Sequence, residues 1–131
     1  MANIVPNSFK SGLLKGTFNF DTSGNGGNEF KCALYTAITG YSTSSTVYLS
    51  GVGQGEVNPS GTNYTTGGNT LTSQAVASST AVASVDFADT EWTSATITAA
   101  YGAIYNSTTV DGTANRLVVA LDFGGSKTCT K

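Results

Sequence analysis

Two stretches near the end of the chain alternate apolar residues with small or polar ones, and this pattern constrains the fold most. Successive side chains of a strand point to opposite faces of a sheet, so a period of two predicts strands. The turn signal Asp111–Gly112 separates the two stretches. The residues that share a face are Ile97, Ala99, Tyr101, Ala103 and Tyr105 in the first stretch and Leu117, Val119, Leu121 and Phe123 in the second.

Composition favours short strands joined by turns. Serine and threonine supply 36 of the 131 residues, glycine another 16, and charged residues only 11%. Threonine suits a pleated sheet, and glycine suits turns that need a positive φ. We therefore predict an all-β fold, an antiparallel β-sandwich or a jelly-roll-like barrel, rather than alternating strands and helices. The length fits a single domain over residues 1–131.

Residues 1–16 predict a short helix or arm ahead of the sandwich, which we expect over residues 30–131. Asn7 or Ser8 could cap this helix, and Gly16 stands where a left-handed terminator belongs. A helix this short is marginal in water, so it must order against its own sheet, a neighbouring copy or a larger shell. The apolar face, which we take as an interface candidate, consists of Phe9, Leu13 and Leu14.

The middle of the chain is rich in glycine. Residues 39–69 predict long loops around one short strand at 46–49, with weaker strands at about 70–76 and 81–87. Gly51 and Gly53 begin a G-x-G, but Glu56 stands where the dinucleotide fingerprint needs its third glycine. We interpret this stretch as a flexible loop, and Gly67–Gly68 as a tight turn with positive φ.

Five motifs together resemble a family of small tailed-bacteriophage virion structural proteins. An acidic turn, V-D-F-x-D-x-x-W, leads into a strand that begins T-I-T-A and ends I-Y. Three further motifs agree with the family pattern: an early K-x-A-L-Y strand, a stretch from E-V to G-G-x-x-L and a later D-F-G. In this sequence the motifs lie at residues 85–92, 96–105, 31–35, 56–71 and 122–124. The family pattern continues with another strand reading G-D-F, whereas this sequence ends at Lys131.

The resemblance implies a non-enzymatic virion component, made in the host cytoplasm. We expect a capsid decoration (cement) protein that stabilises the head shell through contacts with the major capsid protein and with copies of itself, as a homo-oligomer. A tail or fibre component, with receptor-binding loops, is the alternative. A third class is an enzyme that degrades cell-wall polysaccharide.

That third class would depend on Asp86, Asp89 and Glu91. Carboxylates bind calcium, and a carboxylate pair can hydrolyse glycosides. The spacing lacks the alternating ligands and the turn glycine of an EF-hand loop. We therefore expect Asp86 and Asp89 to shape a turn by accepting backbone N–H bonds, and we expect no catalytic, metal or cofactor site.

Other residue types exclude further functions. Histidine is absent, which excludes Ser-His-Asp and Cys-His hydrolases. The net charge of −2 and scattered basic residues offer no face for nucleic acid, and no apolar run predicts a membrane segment. Cys32 and Cys129 cannot make a four-ligand zinc site by themselves. We expect free thiols, with a disulfide between them as the alternative, and no small-molecule ligand.

Three aromatic residues have two interpretations. Trp92, Tyr101 and Tyr105 belong either to the core or to a platform that stacks on sugar rings. Burial is the usual state of a lone tryptophan in a sheet protein of this size. We expect Trp92 to anchor the core behind the acidic turn, and we take all three as structural or interface candidates.

Overall fold

The computed structural model describes residues 2–131 as a mostly β protein with one short α-helix. In chain order, the elements are α1 (Asn7–Lys15), β1 (Phe30–Tyr35), β2 (Asn69–Thr70), β3 (Ala75–Ser79), β4 (Val82–Asp86), β5 (Ile97–Asn106) and β6 (Arg116–Cys129), with short 3-10 helices at Ser23–Asn25 and Val52–Gln54. One antiparallel sheet has the order β2-β1-β5-β6, and β3 pairs with β4 in a second sheet. The predicted all-β, sandwich-like fold is confirmed, and within the described chain neither sheet closes into a barrel.

Small residues occupy the centre of the larger sheet. Ala33, Ala103 and Ala120 lie side by side across β1, β5 and β6, and all three are fully buried. Their short side chains leave room for the bulky residues of the long loop over residues 36–68. Ile38 and Tyr41 of this loop pack into the same cluster. One face of the sheet is therefore covered by irregular chain rather than by a second sheet.

The alternation of β5 is broken at a bulge. Its pairing with β6 shifts so that residues 123–126 of β6 stand opposite Ala100. Gly124 and Gly125 make this detour with positive φ of 73° and 130°. Beyond the bulge, Ile97 and Ala99 pack in a different cluster from Tyr101, Ala103 and Tyr105. The prediction that these five residues share one face was therefore wrong, because a bulge re-aims the strand.

The N-terminal helix ends at Gly16, whose φ is 72°, as predicted, but its N-cap is Pro6 rather than Asn7 or Ser8, and no side chain caps it. The residues of its predicted apolar face differ in burial, since the ring of Phe9 lies 4.8 Å from that of Phe18 while Leu13 and Leu14 are 48% and 91% exposed. Gly12 is the buried residue of the helix, and a Cβ there would lie 2.5 Å from the Phe18 ring. The ring of Phe18 therefore packs against the helix at Gly12, where any larger side chain would overlap it.

The chain ahead of the helix belongs to the fold. Ile4 pairs with Ala120 through two backbone hydrogen bonds of 2.8 and 2.9 Å, and Asn3 accepts the N–H of Asp122. The helix also packs on β6. Of the three surfaces expected to order this segment, the structure therefore shows its own sheet.

The glycine-rich middle is mostly loop, as predicted, but the strand expected at residues 46–49 shrinks to a single bridge between Val47 and Arg116. The N–H of Leu49 turns away and donates to the hydroxyl of Tyr41 at 2.9 Å. A side chain therefore takes the donor that a strand would have used.

Candidate functional site

Among residues 2–131, Glu56 is the only buried acidic residue, at 1% exposed. Its Oε1 accepts the hydroxyl of Tyr64 and the N–H of Gly67, each at 2.7 Å. Its Oε2 accepts the hydroxyl of Tyr48 at 2.7 Å and the N–H of Gly51 at 2.6 Å. A carboxylate has about four acceptor sites, so neutral protein donors satisfy this one completely.

Further tyrosines extend these contacts under the loop. The hydroxyl of Tyr35 lies 2.8 Å from that of Tyr41 and donates to the carbonyl of Leu49 at 2.6 Å. The hydroxyl of Tyr105 donates to the carbonyl of Gly67 at 2.7 Å. We call this set the glutamate–tyrosine network: Glu56, Tyr35, Tyr41, Tyr48, Tyr64 and Tyr105.

Burial raises the pKa of all five tyrosine hydroxyls in the network. For Tyr48 and Tyr64, the hydrogen bond to Glu56 is a further cause that raises the pKa. The hydroxyls therefore stay protonated, and remain donors, well above neutral pH. Glu56 has no acceptor site left and is fully buried, so these hydrogen bonds hold the loop around it.

The loop can reach Glu56 because it crosses β1 at very close range. Gly68 has a φ of 74°, and a Cβ at this position would lie 1.8 Å from the carbonyl oxygen of Cys32. The prediction of positive φ for Gly67 and Gly68 is confirmed. Sequence reasoning missed the role of Glu56, which it treated as the first residue of a motif and weighed against a nucleotide-binding fingerprint. Its place before a glycine-rich stretch with Tyr64 was the available signal.

A second region has the opposite character. We call β3, β4 and their turn, Ala75–Asp86, the valine hairpin, and every residue of both strands is exposed. Val76, Val82 and Val85 are 61%, 67% and 39% exposed. Within the described chain, the hairpin packs on no other strand and not on α1. The hairpin therefore presents apolar side chains and two unpaired strand edges to solvent.

An apolar groove lies at the opposite end of the larger sheet from the N terminus of β1. It measures about 560 Å³, and Trp92 forms part of its wall. We call it the Trp92 groove, and its lining is Leu34, Trp92, Ile97, Ala99, Phe123, Lys127, Thr128 and Cys129.

Trp92 is partly buried rather than central to the core. It packs against two core clusters, and its ring lies 6.3 Å from that of Tyr64. Its Nε1 is buried without a hydrogen-bond acceptor among residues 2–131. Tyr101 and Tyr105 belong to the cluster under the loop instead. The structure therefore does not gather the three aromatic candidates into one sugar platform.

The acidic segment does not form the expected turn, since Asp86 ends β4 and residues 87–92 form neither a turn nor a strand. Oδ1 of Asp86 accepts the N–H of the adjacent residue, Phe87, at 2.9 Å. Asp89 and Glu91 are exposed. The main-chain carbonyl of Glu91, rather than its carboxylate, accepts the amide of Asn69 at 2.7 Å. Across residues 2–131, no three potential metal-ligating side chains converge.

The two cysteines are free thiols in different environments. Cys32 is buried in β1, and burial raises its pKa to about 11. Cys129 is exposed at the rim of the Trp92 groove, where it contacts the carbonyl of Ala95 at 3.6 Å. Burial of Cys32 keeps its thiol protonated and unreactive at neutral pH.

Comparison of the chain with protein-family models, with curated proteins and with solved structures finds no match. In the part of the chain that the structure describes, no helix is long and apolar enough to cross a membrane.

Proposed function

We propose that this chain is a non-enzymatic structural protein of a tailed-bacteriophage particle, and that it acts as a capsid decoration protein. The observation that carries the proposal is the valine hairpin, which is regular in structure yet contributes almost nothing to the core. Exposed apolar side chains on unpaired strands are a typical feature of protein–protein contact sites. The motif resemblance supplies the class of particle.

A decoration protein stabilises a shell by adding buried interface, so it needs exposed complementary surface rather than reactive groups. The hairpin offers such surface, and Leu13 and Leu14 add more at the end of α1. The most protected carboxylate, that of Glu56, is fully used by internal donors. An exposed hairpin beside an internally bonded Glu56 supports a role in assembly, with the major capsid protein and other copies of the chain as partners.

The proposal is tested by locating the protein in intact particles and measuring its occupancy. Val82→Lys places a charge on the hairpin, whereas Val52→Lys makes the same change at another exposed valine outside it, which is 53% exposed. We expect density on the head shell, lost with Val82→Lys and retained with Val52→Lys. Absence of the protein from particles, or equal occupancy of both variants, would contradict the proposal.

A tail or fibre component that binds a receptor is the second candidate. One observation favours it, a crevice of about 310 Å³ lined by hydroxyl and amide side chains that include Thr22, Ser73 and Gln74. Groups of this kind hydrogen-bond to sugars. Density at the tail in the same particles, with binding to host surface glycans, would favour this candidate over decoration.

A further inference from the structure

Two unpartnered surfaces of this chain match one another in chemistry. The valine hairpin is a projecting, apolar element with free edges, and the Trp92 groove is an apolar concavity of about 560 Å³. We propose that the hairpin of one copy docks in the Trp92 groove of a second copy, so that the chain associates head to tail. This inference deepens the proposed function by naming one partner of the hairpin.

The docking face of the hairpin follows from its register. Val76 lies opposite Val85, and Ser79 lies opposite Val82, so Val82 points to the face away from the Val76–Val85 pair. Val76 borders a crevice that is also lined by Phe18 and Phe20, so the Val76–Val85 face is turned toward its own domain. The free face carries Val82, Ser84 and Asp86 on β4, with Ala75, Ala77 and Ser79 on β3.

The groove offers a strand edge as well as an apolar floor. β6 is the outermost strand of its sheet, and its outer edge pairs with Ile4 only as far as Ala120. Beyond the bulge at residues 123–126, no strand of the described chain pairs with that edge at residues 127–129. A docking strand can therefore form backbone hydrogen bonds to β6 while its side chains enter the groove, as in recognition by strand addition.

The charges of the two surfaces also match. Asp86 lies on the docking face, and Asp89 and Glu91 follow it at the base of the hairpin. Lys127 lines the groove, and Lys131 lies at the same end of β6. From Ala75 to Val85 the hairpin carries no charge, so no like-charge repulsion opposes its entry into an apolar groove. Attraction between its acidic base and the lysines would fix the orientation.

This pairing joins two different surfaces, so an open assembly keeps one free hairpin and one free groove until a ring closes. A single hairpin buries less than the roughly 1,200–2,000 Å² of a standard stable interface. Each contact is therefore weak in isolation, and closure of a ring or anchoring on a shell strengthens the assembly.

A complementation experiment tests the proposal. Val82→Lys blocks the hairpin, and Thr128→Glu places a carboxylate at an exposed position on the groove wall. We expect the mass of the wild-type protein in sedimentation to rise with concentration. Each variant should be monomeric over the same range, with a dissociation constant raised about tenfold or more. Mixed in equal amounts, the variants should form a one-to-one dimer that grows no further.

Matched controls separate docking from misfolding. Val52→Lys and Thr109→Glu carry the same changes at exposed positions outside the two surfaces and should associate like the wild type. Circular dichroism checks that every variant folds. Should Thr128→Glu fail to fold, Lys127→Glu at the groove rim replaces it, with Lys10→Glu on α1 as its control. Emission from Trp92, the only tryptophan, should shift to the blue as the groove fills.

Three results would overturn the inference. These are a wild-type protein that stays monomeric up to about 1 mM, a groove variant that associates like the wild type, and a mixture that forms no dimer. The second result would indicate pairing between two hairpins. Monomers that still occupy particles would refute this inference and leave the proposed function standing. Self-association by a protein that is absent from particles would refute the proposed function and leave this inference standing.

Discussion

The loop over residues 36–68 and the valine hairpin reverse the usual relation between regular structure and burial. The loop forms only a short 3-10 helix of its own, yet it buries Ile38, Tyr41, Glu56, Val57 and Tyr64. The hairpin has regular strand pairing throughout and is exposed at every strand residue. A regular hydrogen-bond ladder therefore does not identify the stable part of this protein.

The difference arises from where the hydrogen bonds lead. In the loop, side chains bond to backbone groups elsewhere in the loop and on β1, as Glu56 does to Gly51 and Gly67 and as Tyr64 does to Leu34. In the hairpin, the ladder joins β3 only to β4. A lone two-stranded hairpin is marginal in water, and it gains stability only when a further surface covers it. The loop thus stabilises the monomer, and the hairpin is available for contacts with other molecules.

The largest expected effect comes from removing the acceptor at the centre of the loop. Glu56→Ala leaves two tyrosine hydroxyls and two backbone N–H groups without their partner. Each buried orphan costs about 1–3 kcal/mol, so the free energy of unfolding should fall by about 4 kcal/mol or more. Urea denaturation measures this loss. Glu91→Ala removes an exposed carboxylate and should change it by less than about 0.5 kcal/mol.

A pair of glycine substitutions tests whether the loop depends on close contact with β1. Gly61 and Gly68 both have positive φ, of 72° and 74°, but only Gly68 lies against backbone. Gly61→Ala should cost about 1–2 kcal/mol for the left-handed conformation alone. Gly68→Ala should cost clearly more, because its Cβ would overlap the carbonyl of Cys32. Equal melting temperatures for the two variants would show that the loop can lift off β1 at little cost.

Alkaline pH should weaken the loop selectively. Burial raises the pKa of the five network tyrosines, so the folded protein keeps protons that the unfolded chain loses near pH 10. The stabilisation is complete below about pH 10 and is lost above it, by up to about 1.4 kcal/mol per pH unit for each retained proton. Denaturation at several pH values measures the slope. Tyr48→Phe removes one of these protons and should make the slope shallower.

The smallest effect is expected in the hairpin. Val82→Lys changes a residue that is 67% exposed and should alter the free energy of unfolding by less than about 0.5 kcal/mol. Val57→Lys makes the same change at a loop valine that is 3% exposed and should cost about 3 kcal/mol or more. Thermal unfolding of the two variants compares the regions directly. A large loss in Val82→Lys would mean that the hairpin is part of the monomer core.

Local sequence signals predicted the parts of the fold that depend on local geometry. The alternation located β5 and the first half of β6, and Asp111–Gly112 forms a turn with positive φ at both residues. Gly16 ends the helix as predicted, whereas its N-cap is Pro6 rather than Asn7 or Ser8. Phe9 and Gly12 are the helix residues that contact Phe18. The ring of Phe18 can lie this close to the helix because Gly12 has no side chain.

The network and the two apolar surfaces could not be predicted in the same way. The partners of Glu56 lie on both sides of it, at Tyr48, Gly51, Tyr64 and Gly67, with no period that marks a shared surface. Only the folded loop brings them together. A strand was predicted at about residues 81–87, but the sequence did not show that its Val85 would be 39% exposed. A strand face is buried only when another part of the fold covers it, and local sequence does not show whether such a part is present.

Hydrogen exchange of backbone amides tests most directly the central claim that the irregular loop stabilises the monomer while the regular hairpin is reserved for contacts. In dilute protein, we expect the N–H groups of Gly51 and Gly67, both bound to Glu56, to exchange only on global unfolding. Amides of β3 and β4 should exchange much faster by local opening, and they should become protected when copies associate or when the protein is bound to particles. Hairpin amides as protected in the dilute monomer as those of Gly51 and Gly67 would contradict the account.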